Sequence, residues 1–196
     1  MRPLAMTLAL LMAASCGGSS ETPTEEQGSE LSRLALQPDE VPDGLELDED
    51  ASGAMESLRD VLPPQADAPQ LPPLAKEVRR AFLAGYDALY RDEQGETEVT
   101  SSVIRFADAG SATAFLSYLR DVQAEAITAG SSEVIETPGL GDEGYGFHRS
   151  APGAETSGCS WRRADLVFTI TLSSTLGQAP AERALDLARL LDERAG

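Results

Sequence analysis

The spacing of apolar residues changes several times along this chain, and each change marks an element. Leu74, Val78 and Phe82 recur every fourth residue, which predicts a short helix ending near Gly85. Tyr86, Ala88 and Tyr90 then alternate with polar residues up to the turn signal Asp92-Glu93-Gln94-Gly95, and the β-branched run from Thr97 to Phe106 reads as a strand paired back on them. The next helix is capped by Asp108 or Ser111 and carries Ala112, Phe115, Leu119, Val122 and Ala126 on one side. Val134-Ile135, stopped by Pro138-Gly139, and the alternating Tyr145, Phe147 and Arg149 read as strands. Cys159–Arg163 and Leu166–Leu172 flank Ala164-Asp165 as a hairpin with Leu166, Phe168, Ile170 and Leu172 on its buried face. Pro180 opens a closing helix with Ala184, Leu187, Ala188 and Leu191 in line.

Hairpin followed by helix therefore occurs twice, over 85–128 and 158–194, which suggests a β-β-α internal repeat. Antiparallel strands with helices on one face define an α+β fold of two layers. Upstream, Leu34, Leu36, Val41, Leu45 and Leu47 are interrupted by Pro38, Pro42 and Gly44, while Met55, Leu58 and Val61/Leu62 return to helical spacing. A piece of that size cannot bury a core alone, so it is expected to pack on the main body. The Pro-rich connector 63–73 then reads as a surface loop within one domain, residues 31–196.

The N-terminal pattern is of another kind. One basic residue, Arg2, precedes an apolar run from Leu4 to Ala14 that is too short to span a bilayer, and small residues lead into Cys16. Residues 1–15 thus read as a signal peptide, and the Gly/Ser/Thr/Glu stretch 16–30 as a flexible tether. Ala13-Ala14-Ser15-Cys16 resembles the lipobox of bacterial lipoproteins, with Ala13 where that family prefers Leu. The resemblance implies that Cys16 carries a diacylglycerol and becomes the mature N-terminus, leaving the domain anchored to a membrane. With Gly17 rather than Asp behind the cysteine, that is the outer membrane if the host has one. The rival is plain secretion with a Cys16–Cys159 bridge. A tether so poor in apolar residues favours the anchor, which leaves Cys159 without an intramolecular partner.

Charge narrows the partners. With 33 acidic and 15 basic residues the formal net charge is -18, which counts against nucleic acid, since binding it needs a cationic face that displaces counterions. The same balance counts against anionic headgroups and suits a solvated, aggregation-resistant surface. Lys76 is the only lysine.

Four motifs bear on chemistry. Gly139-Leu140-Gly141-Asp142-Glu143-Gly144 matches G-x-G-x-x-G, but a strand follows where a dinucleotide site needs a helix N-terminus, so it reads as a turn. Asp48 to Glu56 resembles the first nine places of an EF-hand loop, with Arg59 where the bidentate Glu belongs. It reads instead as the acidic start of a helix containing Met55 and Leu58. Gly158-Cys159-Ser160-Trp161 resembles the surroundings of a cysteine-protease nucleophile, with His148, the one histidine, as its base; an envelope hydrolase is the enzymatic alternative. One histidine and one free cysteine do not make a zinc site, and no cofactor is implied. Arg162-Arg163 beside Trp161, with Arg149 in a neighbouring strand, forms the candidate ligand patch. It reads as an anion-accepting corner or as ion pairs with Asp142, Glu143 and Asp165.

Leu140-Gly141-Asp142-Glu143-Gly144-Tyr145 resembles the GLGDEAY-type turn of small actinobacterial lipoproteins, with Gly144 in place of alanine. It is similar also to the turn in the extracellular sensor domains of mycobacterial serine/threonine kinases, whose disulfides this chain cannot form. The resemblance implies an extracytoplasmic α+β module and carries over no catalytic residue. The expected function is accordingly a lipid-anchored binding or sensor-like module, acting on a small ligand or an envelope protein. The third alternative is a purely structural surface lipoprotein.

Overall fold

The computed structural model describes residues 25–58, 74–128, 132–137, 139–175, 177 and 179–196. The signal sequence, Cys16, Val61/Leu62 and the Pro-rich connector lie outside the described residues. The elements are helix α1 (Glu25–Leu34), strands β1 (Glu46–Leu47) and β2 (Gly53–Met55), helix α2 (Lys76–Ala81), strands β3 (Phe82–Arg91) and β4 (Thr97–Phe106), helix α3 (Ala109–Thr128), strands β5 (Ser132–Ile135), β6 (Glu143–Ala151), β7 (Ala154–Arg163) and β8 (Leu166–Ser174), and helix α4 (Ala181–Ala195). The strands form one antiparallel sheet in the order β1-β3-β4-β8-β7-β6-β5, with β2 also paired to β3.

This is the expected α+β architecture, and the ββα order does occur twice. The helices, however, divide between the two faces of the sheet rather than sharing one. In the central strands adjacent residues are both apolar, so both faces need cover. Val103 and Phe168 point into a core closed by Leu31 and Ala35 of α1 and Leu187, Ala188 and Leu191 of α4. Ile104 and Val167, one residue along each strand, point the other way, into a core closed by Val78 of α2 and Ala112, Phe115 and Leu116 of α3. Because α3 and α4 take opposite faces, the two ββα units are not related by the two-fold axis that antiparallel neighbours β4 and β8 would require.

The prediction of β4 is met residue for residue, and the four apolar positions expected on the last helix are all buried. Two local expectations change. The helix from Leu74 stops at Ala81, and Phe82 opens β3 with an extended backbone. Met55 lies in β2, paired opposite Gly85, instead of in a helix; a Cβ on Gly85 would come within 2.6 Å of the Met55 sulfur. The stretch read as a tether gains structure at Glu25, where α1 begins, because Leu31 and Ala35 are drawn fully under the sheet. Arg194 of α4 ties this helix down, donating to the carbonyls of Arg33 (3.3 Å) and Ala35 (2.7 Å) and pairing with Glu40.

Candidate functional site

The residues predicted to form a ligand patch lie on β6 and β7, and the register decides what each faces. Trp161 pairs across the hairpin with Phe168, both on the α4 side of the sheet. Its indole is fully buried and stacks on Phe168 with ring centroids 5.1 Å apart and planes 11° from parallel. It is a core residue, closed to ligand.

Arg162 and Arg163 are taken up by carboxylates. Arg162 points to the opposite face and donates to Asp142 at 2.9 Å. Arg163 forks onto Asp192 of α4, Nε to Oδ1 at 2.9 Å and Nη2 to Oδ2 at 2.6 Å. Burial alone would raise the Asp192 carboxyl, but these bonds and the Gly141 N–H outweigh it and hold it below the usual carboxylate range. Of the partners weighed for this corner, Asp142 is the one realised on Arg162. Asp165 lies 4.0 Å from Arg105, and Glu143 pairs with Arg120. Asp192 was missed, because nothing in sequence places α4 over β7.

The glycine-rich turn belongs to the same assembly. Gly139 and Gly141 have φ of +73° and +59°, and Gly141 donates its N–H to Asp192 at 3.1 Å. A Cβ on Gly141 would lie 2.4 Å from the Arg162 carbonyl oxygen and 2.8 Å from the Trp161 ring. That close approach, not a phosphate, is the reason for glycine there. Asp142 donates its N–H to the Arg162 carbonyl and accepts from the N–H of Ala164, a non-glycine residue at φ +53° in the β7–β8 turn. Strand β6 follows at Glu143, so the helix that a dinucleotide site requires is replaced by a strand. The turn fastens α4, β7 and the β7–β8 hairpin to one another.

Arg149 is elsewhere. It pairs with Thr156 of β7 and Ser132 of β5 near the far end of β6, while Arg162 pairs with Glu143 at the near end. The intervening residues separate the two by about 20 Å. Arg149 is exposed, has no ion pair among the described residues, and shares its row with Ser132, Thr156 and Ser173, the last two 3.2 Å apart through their hydroxyls. Of the four predicted patch residues it alone presents a charge to solvent unopposed.

Cys159 and His148 lie on the same face of the sheet but in different rows. Cys159 pairs with Gly146, and His148 with Ser157. His148 Nδ1 is 2.8 Å from the Ser157 hydroxyl, which in turn donates to the Ala179 carbonyl. The Cys159 thiol is fully buried, and loss of solvent pushes it up to about 11. A nucleophilic cysteine needs the opposite shift. Iodoacetamide at neutral pH should therefore leave Cys159 of the folded domain unlabelled and modify it fully in denaturant; rapid labelling of the native protein would reinstate the hydrolase alternative. The EF-hand-like stretch is likewise engaged internally. Asp48 accepts the N–H groups of Asp50 and Ala51 and pairs with Arg91 at 2.6 Å, which spends the first ligand of a calcium loop.

An antiparallel sheet of this connectivity, with a helix pair on each face and a glycine turn clasped to the last helix, defines the fold as an α+β one. Among solved structures the chain is similar to the crystal structure of the extracellular domain of PknH from Mycobacterium tuberculosis, with 16% sequence identity and a TM-score of 0.59. The match covers 90% of this chain and 98% of that one, and at this identity the likeness is one of fold. No family model matches the chain, and no curated protein matches its sequence. Among the described residues no helix is long and apolar enough to cross a membrane.

Proposed function

We propose that this chain is a lipid-anchored extracytoplasmic binding or sensor-like module whose ligand is a small anion or an envelope protein. The observation that carries the reading is the likeness in fold to nearly the whole of an extracellular domain, in a chain whose N-terminus resembles a lipobox. Burial of Cys159 weighs against the hydrolase alternative. With Trp161 in the core and Arg162 and Arg163 neutralised, Arg149 is the member of the patch able to meet an anion, among the hydroxyls of Ser132, Thr156 and Ser173.

Each half has its own experiment. In cells, Cys16→Ala should move the protein from the membrane to the soluble fraction, and globomycin should leave the precursor uncut; unchanged fractionation of the variant together with normal cleavage under globomycin defeats the anchor. In a thermal-shift screen a ligand that binds only the folded state raises the melting point. Small-anion shifts lost in Arg149→Ala support the anion-binding half. Melting points indifferent to every small anion, together with specific capture of one envelope protein, would turn the reading to an interaction module.

A further inference from the structure

The two ends of the sheet differ in charge, and the chain enters the fold at one of them. At the end where β3 begins and β4 stops, α2 exposes Lys76, Arg79 and Arg80. None of the three has an ion-pair partner among the described residues, a lack they share with Arg33, Arg149 and Arg183, whereas Arg91, Arg105, Arg120, Arg162, Arg163, Arg189 and Arg194 all do. Leu83, two residues beyond α2, is one of the few large apolar side chains left exposed among the described residues, at 41%. Glu77 is the one carboxylate on α2, the nearby Asp108 is spent on the first turn of α3 through Ser111, and Glu30, Asp142 and Asp165 at this end face Arg105, Arg162 and Arg105 in turn. At the opposite end, Glu46, Glu49, Asp50, Asp92 and Glu93 gather around one shallow groove.

The N-terminal side of α1 lies at the basic end. Gly28 sits against Ala54 of β2, whose pairing partner is Tyr86, and Glu30 forks onto Arg105, opposite Ala84 near the start of β3. Between Cys16 and α1 stand only residues 17–24, which reach at most about 30 Å even fully extended. A lipid on Cys16 would therefore keep the α2 end close to the bilayer.

We propose that Lys76, Arg79, Arg80 and Leu83 form a foot that rests on the anionic phospholipid headgroups of the membrane holding the Cys16 lipid, with the acidic groove turned outward. This rests on the lipid-anchor reading above. Net charge counts against such a contact only when the whole molecule is felt at once. A ten-residue strand is about 30 Å long and the Debye length is about 8 Å at physiological salt, so the distal carboxylates are screened from the bilayer, and the three cations of α2 outnumber the one carboxylate on that helix. Three cations would not recruit a free domain; a tether that holds them within reach of the headgroups removes that requirement.

The test uses the full lipidated chain in vesicles of phosphatidylcholine, with or without phosphatidylglycerol, carrying an environment-sensitive fluorophore at Leu83→Cys or, distally, at Gln94→Cys. Expected is flotation with both vesicle types, and quenching by a headgroup-labelled lipid at position 83 but not 94. That quenching should need phosphatidylglycerol and be lost at high salt. It should be lost as well in Lys76→Glu/Arg79→Glu/Arg80→Glu, which should still float. Flotation with position 83 unquenched overturns the orientation, and quenching there that is equal without anionic lipid overturns the contact with anionic headgroups; either result leaves the anchor standing. Failure to float overturns the anchor, and the orientation with it.

Discussion

Trp161→Ala is expected to cost the domain about 3–5 kcal/mol in urea unfolding, because it empties the largest fully buried side chain of the core. The ring is fully buried, stacks on Phe168, and forms the wall against which the Gly141 turn is pressed at a distance that admits no side chain. Its loss leaves a cavity in the core shared by α1, α4 and the sheet centre, and removes the surface that shapes the turn. Since small domains are stable by about 5–15 kcal/mol, the variant should sit close to its unfolding threshold. Trp161→Phe should retain most of the stability, because its ring still covers Phe168. A loss below about 1 kcal/mol for the alanine variant would mean that the indole is not a core element.

Asp192→Ala should be next, at about 2–4 kcal/mol. Truncation leaves the Gly141 N–H and the Arg163 fork without their acceptor; the figure is reduced because the Arg163 side chain is 33% exposed and partly screened. The pH dependence has a definite sign. The carboxyl is lower in the folded state than in the unfolded chain, so its contribution is complete at neutral pH, where it stays down to the unfolded carboxylate range. It is lost as pH falls through the folded value. Urea midpoints of the parent protein and Asp192→Asn, measured from pH 7 to about pH 2.5, should converge at the acid end. A gap that stays constant over that range would show that the carboxylate charge contributes nothing.

The elements legible in sequence are those whose period is imposed by one buried face. The stripe Ala184, Leu187, Ala188 and Leu191 and the alternation Phe168, Ile170, Leu172 needed no tertiary information. Phe82 continued a helical stripe and also began a strand, and pairing with Phe106 decided between them. Strand β2 is three residues long and exists because β3 offers an edge, which spacing around Met55 could not reveal. The division of helices between faces was readable in the doublets Val103-Ile104 and Val167-Phe168, since neighbouring residues in a strand point to opposite sides. The burial of Trp161 was readable too: counting outward from the Ala164-Asp165 turn sets it opposite Phe168 on the apolar face. What no pattern carried was the partner of Arg163, a carboxylate on a helix 29 residues away. The polarity of the sheet ends was equally hidden, because it arises from chain segments distant in sequence.

The Arg194 tie between α4 and α1 has a mechanical consequence. A pull applied from the N-terminal side enters the domain through α1, which belongs to no strand ladder and by itself could be peeled from the sheet turn by turn. Arg194 joins it to α4 at the carbonyls of Arg33 and Ala35 and at Glu40, and α4 is fastened through Asp192 to Arg163 of β7. Load is thereby passed from an outer helix to an interior strand, where hydrogen bonds to both neighbours resist it together. The weak edge strands β1 and β2 are left out of that path.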